Sequence, residues 1–266
     1  MFSLLDGPMG TELQARGLVL PAPAWSAIAL EDAPDLVRQI HADYVAAGAE
    51  VHRTNTFRTQ PAIDPRWRTW LDRAVRLARE AGTKRIAGSI ASVNDCYRPD
   101  LSPREDEARA VFRAVATALG PQVDLLVCET FPHGGEAAIA VAEAVKTGKP
   151  AWVSFTAGPD ASLMTPAQME EAARRCVGEG ASAVLVACTR ATATLAYVER
   201  LARVGVPFGA YANAGAREDA MGWSTDGGAA RYVACAETWI AAGATIVGAC
   251  CGCSPEHVAA LRARFK

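Results

Sequence analysis

The chain predicts a single (β/α)8 barrel running over residues 1–266, and three observations lead there. Short apolar runs alternate with longer amphipathic stretches rich in Ala, Arg and Glu from one end of the chain to the other. A Gly stands between a helical stretch and the next apolar run in Ala47-Gly48-Ala49, Glu179-Gly180-Ala181 and Ala242-Gly243-Ala244, and Ala81-Gly82 repeats the pattern. That is where a left-handed helix stop belongs. No G-x-G-x-x-G follows the first strand, which argues against the doubly wound open sheet.

Taken in order, strand Ser3–Asp6 leads into an irregular stretch, Gly17–Leu30, with Pro21, Pro23 and Trp25. This reads as a long first βα loop over the barrel mouth, before helix Pro34–Ala47. Strand Glu50–Asn55 precedes helix Trp67–Ala81. Strand Arg85–Ser89 is followed by a second irregular loop, Ala91–Ser102, and helix Pro103–Leu119. Strand Asp124–Cys128 pairs with helix Gly135–Lys146, strand Ala151–Phe155 with Pro166–Val177, and strand Ala183–Cys188 with Thr192–Val204. Strand Pro207–Tyr211 runs into a third loop, Asn213–Gly227, and helix Gly228–Ala242. The last pair is strand Thr245–Cys250 and helix Pro255–Phe265, with Ser254 as N-cap and Pro255 in the first helical position.

The composition is that of a soluble globular protein: 266 residues, 50% hydrophobic, 21% charged, formal net charge -2. Near-neutral charge gives no reason to expect nucleic acid or a membrane surface as partner. No apolar run is long enough to span a bilayer, and Met1–Asp6 lacks the basic and apolar regions of a signal peptide. Eight cysteines in such a chain point to a reducing cytoplasm, where thiols bind metals, catalyse or fill the core.

In this fold the chemistry gathers at the C-terminal ends of the strands. The reactive residues there are Asp6, Thr54, Asn55, Ser89, Glu129, Ser154, Cys188, Asn213, Cys250 and Cys251. Adjacent Cys250 and Cys251 suit a disulfide poorly but serve well as half of a soft-metal site. Alternate strands feed the same layer of a barrel, so Cys188 on strand six and the pair on strand eight can meet. Three thiolates with a fourth position open make a catalytic zinc arrangement; the competing reading is that the cysteines are small buried hydrophobes. Packing is the expectation for Cys96, Cys128, Cys176 and Cys235, and Cys253 has no settled role. Of the adjacent Cys128 and Glu129, only one is expected to face the mouth. His41 and His52 read as structural, His133 as a first-turn surface residue and His257 as a cap-region residue.

Several motifs occur together. They are Asp6-Gly7-Pro8-Met9-Gly10-Thr11-Glu12-Leu13, Trp25-Ser26, Thr54-Asn55-Thr56-Phe57, Glu129-Thr130-Phe131-Pro132 with Glu136-Ala137, Tyr211-Ala212-Asn213-Ala214-Gly215, and Cys250-Cys251-Gly252 with Ser254-Pro255-Glu256-His257. On these the chain resembles the homocysteine S-methyltransferase family of zinc thiol methyltransferases, over its whole length. The resemblance implies a (β/α)8 barrel, Zn2+ held by Cys188, Cys250 and Cys251, and substrate-binding positions at Asp6, Gly7, Met9, Trp25, Asn55, Glu129 and Asn213. It implies methyl transfer to homocysteine, forming methionine, from S-methylmethionine or S-adenosylmethionine. Four departures stand out: Ala187 where the family has Asn, Ala249 where it has Gly, Arg58 after Phe57, and a third-strand loop without G-P-x-G.

The residue chemistry agrees with that implication. Only a thiolate is a good nucleophile, and a thiol entering an open zinc position is deprotonated. Asp6 and Glu129 suit the α-ammonium group of an amino-acid thiol, since zinc already removes the thiol proton; a general acid/base pair is the alternative. The Gly7–Gly10 turn offers backbone N–H groups to the substrate carboxylate. Trp25, Trp223, Tyr97 and Phe57 are aromatic faces for a sulfonium donor. Other readings of the chain are a subunit taking methyl from a separate corrinoid protein or from betaine, a hydrolase or lyase using Asp6 and Glu129, and a zinc or thiol sensor.

Overall fold

Parallel neighbours need a long crossover, and a helix of ten or more residues supplies one after most of the apolar runs. The computed structural model of the chain describes residues 2–215, 217–218, 222–223 and 227–266, with backbone alone at 217–218 and 222–223. Its barrel strands are β1 (Ser3–Leu4), β2 (His52–Arg53), β3 (Ile86–Ala91), β4 (Leu125–Phe131), β5 (Ala151–Phe155), β6 (Ala183–Arg190), β7 (Phe208–Asn213) and β10 (Ile246–Ala249). They pair in the order β1-β10-β7-β6-β5-β4-β3-β2, and a parallel bridge between Leu5 and Val51 joins the two ends. Asp6 N donates to Val51 O at 3.0 Å and Val51 N to Leu4 O at 3.2 Å across that seam. The third loop carries a short hairpin, β8 (Arg217–Glu218) with β9 (Gly222–Trp223).

The crossover helices are α3 (Pro34–Ala46), α4 (Trp67–Glu80), α5 (Glu105–Leu119), α6 (Gly134–Val145), α7 (Pro166–Gly178), α8 (Leu195–Leu201), α9 (Gly228–Ala241) and α10 (Pro255–Phe265). Two short helices were not expected, α1 (Gly10–Ala15) and α2 (Ala29–Asp32); the first loop is partly helical, with a 3-10 turn at Trp25–Ile28. The expected starts of the helices hold within a few residues. Ser254 caps α10 through its box with His257, and Thr165 caps α7 through a box with Gln168.

Strand alternation divides the core into two compartments. Leu5, Val51, Ala87, Leu125, Val127, Trp152, Leu185 and Ile246 fill the barrel interior. Leu126, Cys128, Val184, Val186 and Val247 point the other way, into the layer between strands and helices. Two strands break this rhythm near the mouth. The ladders shift register between Cys128 and Phe131 in β4 and between Ala187 and Arg190 in β6. At those shifts Thr130 has φ 63° and Cys188 φ 51°. A left-handed β-branched residue is a genuine outlier, and such positions cost about 1–3 kcal/mol each unless their surroundings hold them.

His41 on α3 is wholly buried beside His52, their ring centroids 6.5 Å apart. Neither nitrogen of His41 has a hydrogen-bond partner among the described residues. Burial pushes its imidazole from 6.5 down to about 4, so the native state keeps it neutral. The unfolded chain binds the extra proton once pH falls below 6.5, so stability is complete above that value and is lost as pH drops towards about 4. The loss attributable to His41 is about 3 kcal/mol. Urea unfolding of the protein and of His41→Leu between pH 7 and 4 is expected to show a shallower decline in the variant, and equal slopes would contradict this origin.

Candidate active site

The site begins with the two breaks in strand alternation. Ala183, Leu185 and Ala187 face the barrel interior, so an undisturbed β6 would send Cys188 outward to the helices. The left-handed turn at Cys188 re-aims its thiol inward. Asn213 Nδ2 and Thr156 Oγ1 donate to the Cys188 carbonyl at 3.0 and 3.3 Å, which holds the turn. On β4, Leu125, Val127 and Glu129 follow the interior rhythm, and the second left-handed turn brings Thr130 Oγ1 to 3.4 Å from Cys188 Sγ. From the end of β10, Cys250 and Cys251 enter the same space; Cys250 N donates to Ala212 O at 2.8 Å and Ala214 N to Cys251 O at 3.0 Å.

The three sulfurs therefore converge. Cys188 Sγ and Cys250 Sγ are 2.8 Å apart, Cys250 Sγ and Cys251 Sγ 4.0 Å, and all three lie within 4.8 Å of one another and are buried. The Cys250 thiol is pushed down by its contacts with the Cys188 and Cys251 thiols and by the nearby Arg53 guanidinium, against the effect of burial. The Cys188 thiol is pushed up by its contacts with Cys250 and Cys251 and by burial.

Beside the thiols lies a pair of acids joined by a cation. Arg53 Nε donates to Asp6 Oδ1 at 2.8 Å, the Arg53 backbone N–H to Asp6 Oδ2 at 2.9 Å, and Arg53 Nη1 to Glu129 Oε2 at 3.2 Å. Glu129 also accepts from Ser89 Oγ and, at 3.1 Å, from the Tyr211 hydroxyl, which in turn bonds Ser154. Burial pushes the Glu129 carboxyl up, while Arg53, Ser89 and Tyr211 oppose that shift.

A cavity of about 550 Å³ opens onto these groups. Gly7, Met9, Trp25, Asn55, Glu129 and the three cysteines lie on its wall, as do Arg53, Phe57, Tyr97 and Cys96. Two residues expected to touch substrate do not line it. Asp6 sits behind Arg53, 2% exposed, with both carboxylate oxygens engaged. Asn213 is fully buried and holds the Cys188 carbonyl instead. Asn55 does two things: it faces the cavity, and its Nδ2 donates to Ser26 O at 2.8 Å, tying the Trp25 loop to β2. Trp25 packs edge-on to Phe57 at 6.0 Å, and the Arg58 guanidinium lies 5.3 Å from the Phe57 centroid. The side chain of Trp223 lies outside the described residues.

Of the remaining cysteines, Cys128 and Cys176 pack in the strand–helix layer and Cys235 is half-buried on α9. Cys253 is buried beside Ala212 O at 3.9 Å, outside the sulfur cluster. Cys96 is buried, as a packing residue should be, and also forms part of the cavity wall. His133 caps α6 by accepting from Glu136 N at 3.3 Å. Sequence reasoning missed Arg53 and Tyr211, although Arg53 shares the inward phase of Val51 two residues earlier, which was the available signal.

The barrel and its site are those of a thiol-handling enzyme: three buried thiols that could hold a metal ion converge at the C-terminal mouth, beside a cavity walled in part by Glu129 and Arg53. Comparison with known proteins agrees. The family model for homocysteine S-methyltransferase matches residues 3–265. The homocysteine S-methyltransferase of Escherichia coli (strain K12) is 32% identical, over 98% of this chain and 94% of its own. The S-methylmethionine–homocysteine S-methyltransferase BHMT2 of Pongo abelii is 33% identical over 69% of this chain and 50% of its own. The structure of the homocysteine methyltransferase MmuM from Escherichia coli, metallated form, matches with a TM-score of 0.81 at 31% identity, covering 99% of this chain and 96% of that one. The chain belongs to the homocysteine S-methyltransferase family and is an enzyme of that class.

The glycines of the opening motif have a packing reason. A Cβ on Gly7 would lie 2.5 Å from the Tyr44 hydroxyl, and one on Gly10 would lie 2.2 Å from Trp25 Cζ2. Gly10→Ala is therefore expected to displace the Trp25 ring and to cost about 1–3 kcal/mol, as overpacking does. A double-mutant cycle with Trp25→Ala checks the origin: the Gly10→Ala penalty should largely vanish once the indole is gone. A penalty that persists in full would place the strain elsewhere.

Proposed function

We propose that this enzyme transfers a methyl group from S-methylmethionine to homocysteine, forming methionine, with a zinc ion held by Cys188, Cys250 and Cys251. The observation that carries the reading is the convergence of three buried sulfurs on one wall of the cavity. The donor set fits the metal. Zinc–thiolate bonds of about 2.3 Å in a tetrahedron place sulfurs roughly 3.8 Å apart. The Cys250–Cys251 separation of 4.0 Å matches this, and the Cys188–Cys250 pair needs to open by about an ångström. A bound zinc ion supplies one thing here, the stabilisation of an incoming thiol as its thiolate at neutral pH.

The chain's own groups do the rest. Glu129 presents a carboxylate to the acceptor's ammonium group on the cavity wall. Thr130 and Asn213 hold Cys188 in its inward-facing turn. Trp25 offers an aromatic face to the donor's sulfonium. In the transfer a new S–CH3 bond forms to the acceptor sulfur as the sulfonium's S–CH3 bond breaks. The donor leaves as a neutral thioether, and the acceptor's thiol proton goes to solvent.

S-methylmethionine is favoured as donor because a small sulfonium suits a cavity of about 550 Å³ that also takes the acceptor, and because BHMT2 of Pongo abelii carries that donor in its name. The eight free thiols suit a reducing cytoplasm. Among the described residues no helix is long and apolar enough to cross a membrane.

Metal analysis and a donor panel test the reading together. Stoichiometric zinc is expected in the wild-type protein and is expected to be lost in Cys251→Ala, with methionine formation falling more than about 100-fold, beyond what loss of a group behind the ligands causes. Turnover with S-methylmethionine alone is the expected result. Activity only with S-adenosylmethionine, with betaine or with an added corrinoid protein would overturn the donor assignment, and a fully active zinc-free enzyme would overturn the metal.

A further inference from the structure

Arg53 is a cation on the cavity wall beside Glu129, and its hydrogen bonds are nearly, but not fully, accounted for. A guanidinium has five N–H groups and no acceptor. The Nε hydrogen goes to Asp6. The two Nη2 hydrogens are shared by the carbonyls of Asp6, Gly7 and Ala249 at 3.3, 3.1 and 3.0 Å. One Nη1 hydrogen goes to Glu129. The second Nη1 hydrogen has no partner among the described residues. The acids show the complement. Asp6 spends both oxygens on Arg53 and does not reach the cavity. Glu129 does reach it; its Oε2 accepts twice, from Arg53 and Tyr211, while its Oε1 accepts only from Ser89. Arg53 and Glu129 both line the cavity, and one N–H and one carboxylate lone pair of theirs have no partner among the described residues, on groups 3.2 Å apart. That is the complement of a zwitterion, a carboxylate beside an ammonium.

We propose that Arg53 determines which thiols this enzyme accepts: its remaining Nη1–H binds the acceptor's carboxylate while Glu129 binds the ammonium group. Asp6 is then a positioning residue that anchors the guanidinium from behind. The inference rests on the methyl-transfer function proposed above and assigns the acceptor class within it. The guanidinium cancels one of the two acidic charges, so an ammonium group by itself meets a cation 3.2 Å from its carboxylate partner. A thiol with an ammonium but no carboxylate is disfavoured, and one with a carboxylate but no ammonium keeps the charge-assisted bond to Arg53. Two carboxylates without Arg53 would show the reverse preference.

The test is calorimetric titration of the zinc-loaded protein with three thiols. They are homocysteine, 4-mercaptobutyrate (homocysteine without the ammonium group) and 3-mercaptopropylamine (homocysteine without the carboxylate). The wild type is expected to bind the butyrate at least about tenfold more tightly than the amine. Arg53→Met should invert that order. Because Arg53→Met leaves two buried acids without a cation, Arg53→Lys serves as the second variant. It keeps the charge but lacks the fork, and it is expected to weaken the butyrate about tenfold while leaving the amine unchanged. Zinc content and a cooperative melt, compared with wild type, show whether each variant is folded. Homocysteine binding with the butyrate-to-amine ratio unchanged in Arg53→Lys, or a wild type that prefers the amine, overturns the role of Arg53 alone. Failure of all three thiols to bind the zinc-loaded wild type overturns the proposed function and this role with it.

Discussion

A charge taken out of water must be paired, and at the mouth of this barrel one guanidinium meets that requirement for two carboxylates. Arg53 is only 9% exposed and reaches Asp6 on the strand before it in the chain, Glu129 on β4 and the Ala249 carbonyl on β10. Its guanidinium also lies 4.5 Å from the Tyr211 ring centroid on β7. Segments from five strands are thereby tied at one point. Removing a partner from a buried ion pair typically costs about 3–5 kcal/mol, because the remaining charge is left unsolvated. The geometry of the pocket is thus inseparable from the stability of the barrel's upper rim.

The sulfur cluster depends on the same rim in a different way. Thr130 and Cys188 occupy left-handed backbone conformations on strands two apart in the ladder, and they face each other at 3.4 Å. Each conformation is unfavourable by itself. The Cys188 turn persists because Asn213 and Thr156 satisfy its carbonyl, and the Thr130 turn because its N–H donates to Ser154 Oγ at 2.9 Å. Ser154 also bonds Tyr211, and Tyr211 bonds Glu129, so the hydrogen bonds that hold the thiols continue into those that hold the acids. One hydrogen-bond network thus runs from the sulfur cluster to the acids beside the cavity.

Much of the site was legible before the fold. The eightfold alternation and the glycine stops placed the strands, and strand ends placed Glu129, Cys188, Cys250 and Cys251 at the mouth. Glu129 over Cys128 follows from strand parity, since Leu125 and Val127 face inward. Asp6 and Asn213 show the limit of that reasoning. Both stand at strand ends among suitable motifs, yet a residue's place in a motif does not say whether its side chain touches ligand or holds the group that does. Arg53 was overlooked because an arginine within an apolar strand reads as a flaw in the pattern unless its partners, 47 and 76 residues away, are known.

The sequence by itself determined the barrel, because hydrophobic periodicity, helix stops and strand parity are local properties that any stretch carries within itself. It also determined which residue types are available at the mouth, three thiols and two acids. Only the tertiary structure decided which way they point and what they meet. Cys188 turns inward against its strand's parity through a left-handed residue whose cost is offset by Asn213 and Thr156, contacts made across neighbouring strands. Asp6 turns from a ligand-facing acid into the anchor of Arg53 because a buried guanidinium takes the nearest carboxylate. Strain relief and charge pairing are settled between segments far apart in the chain, and no local pattern encodes them.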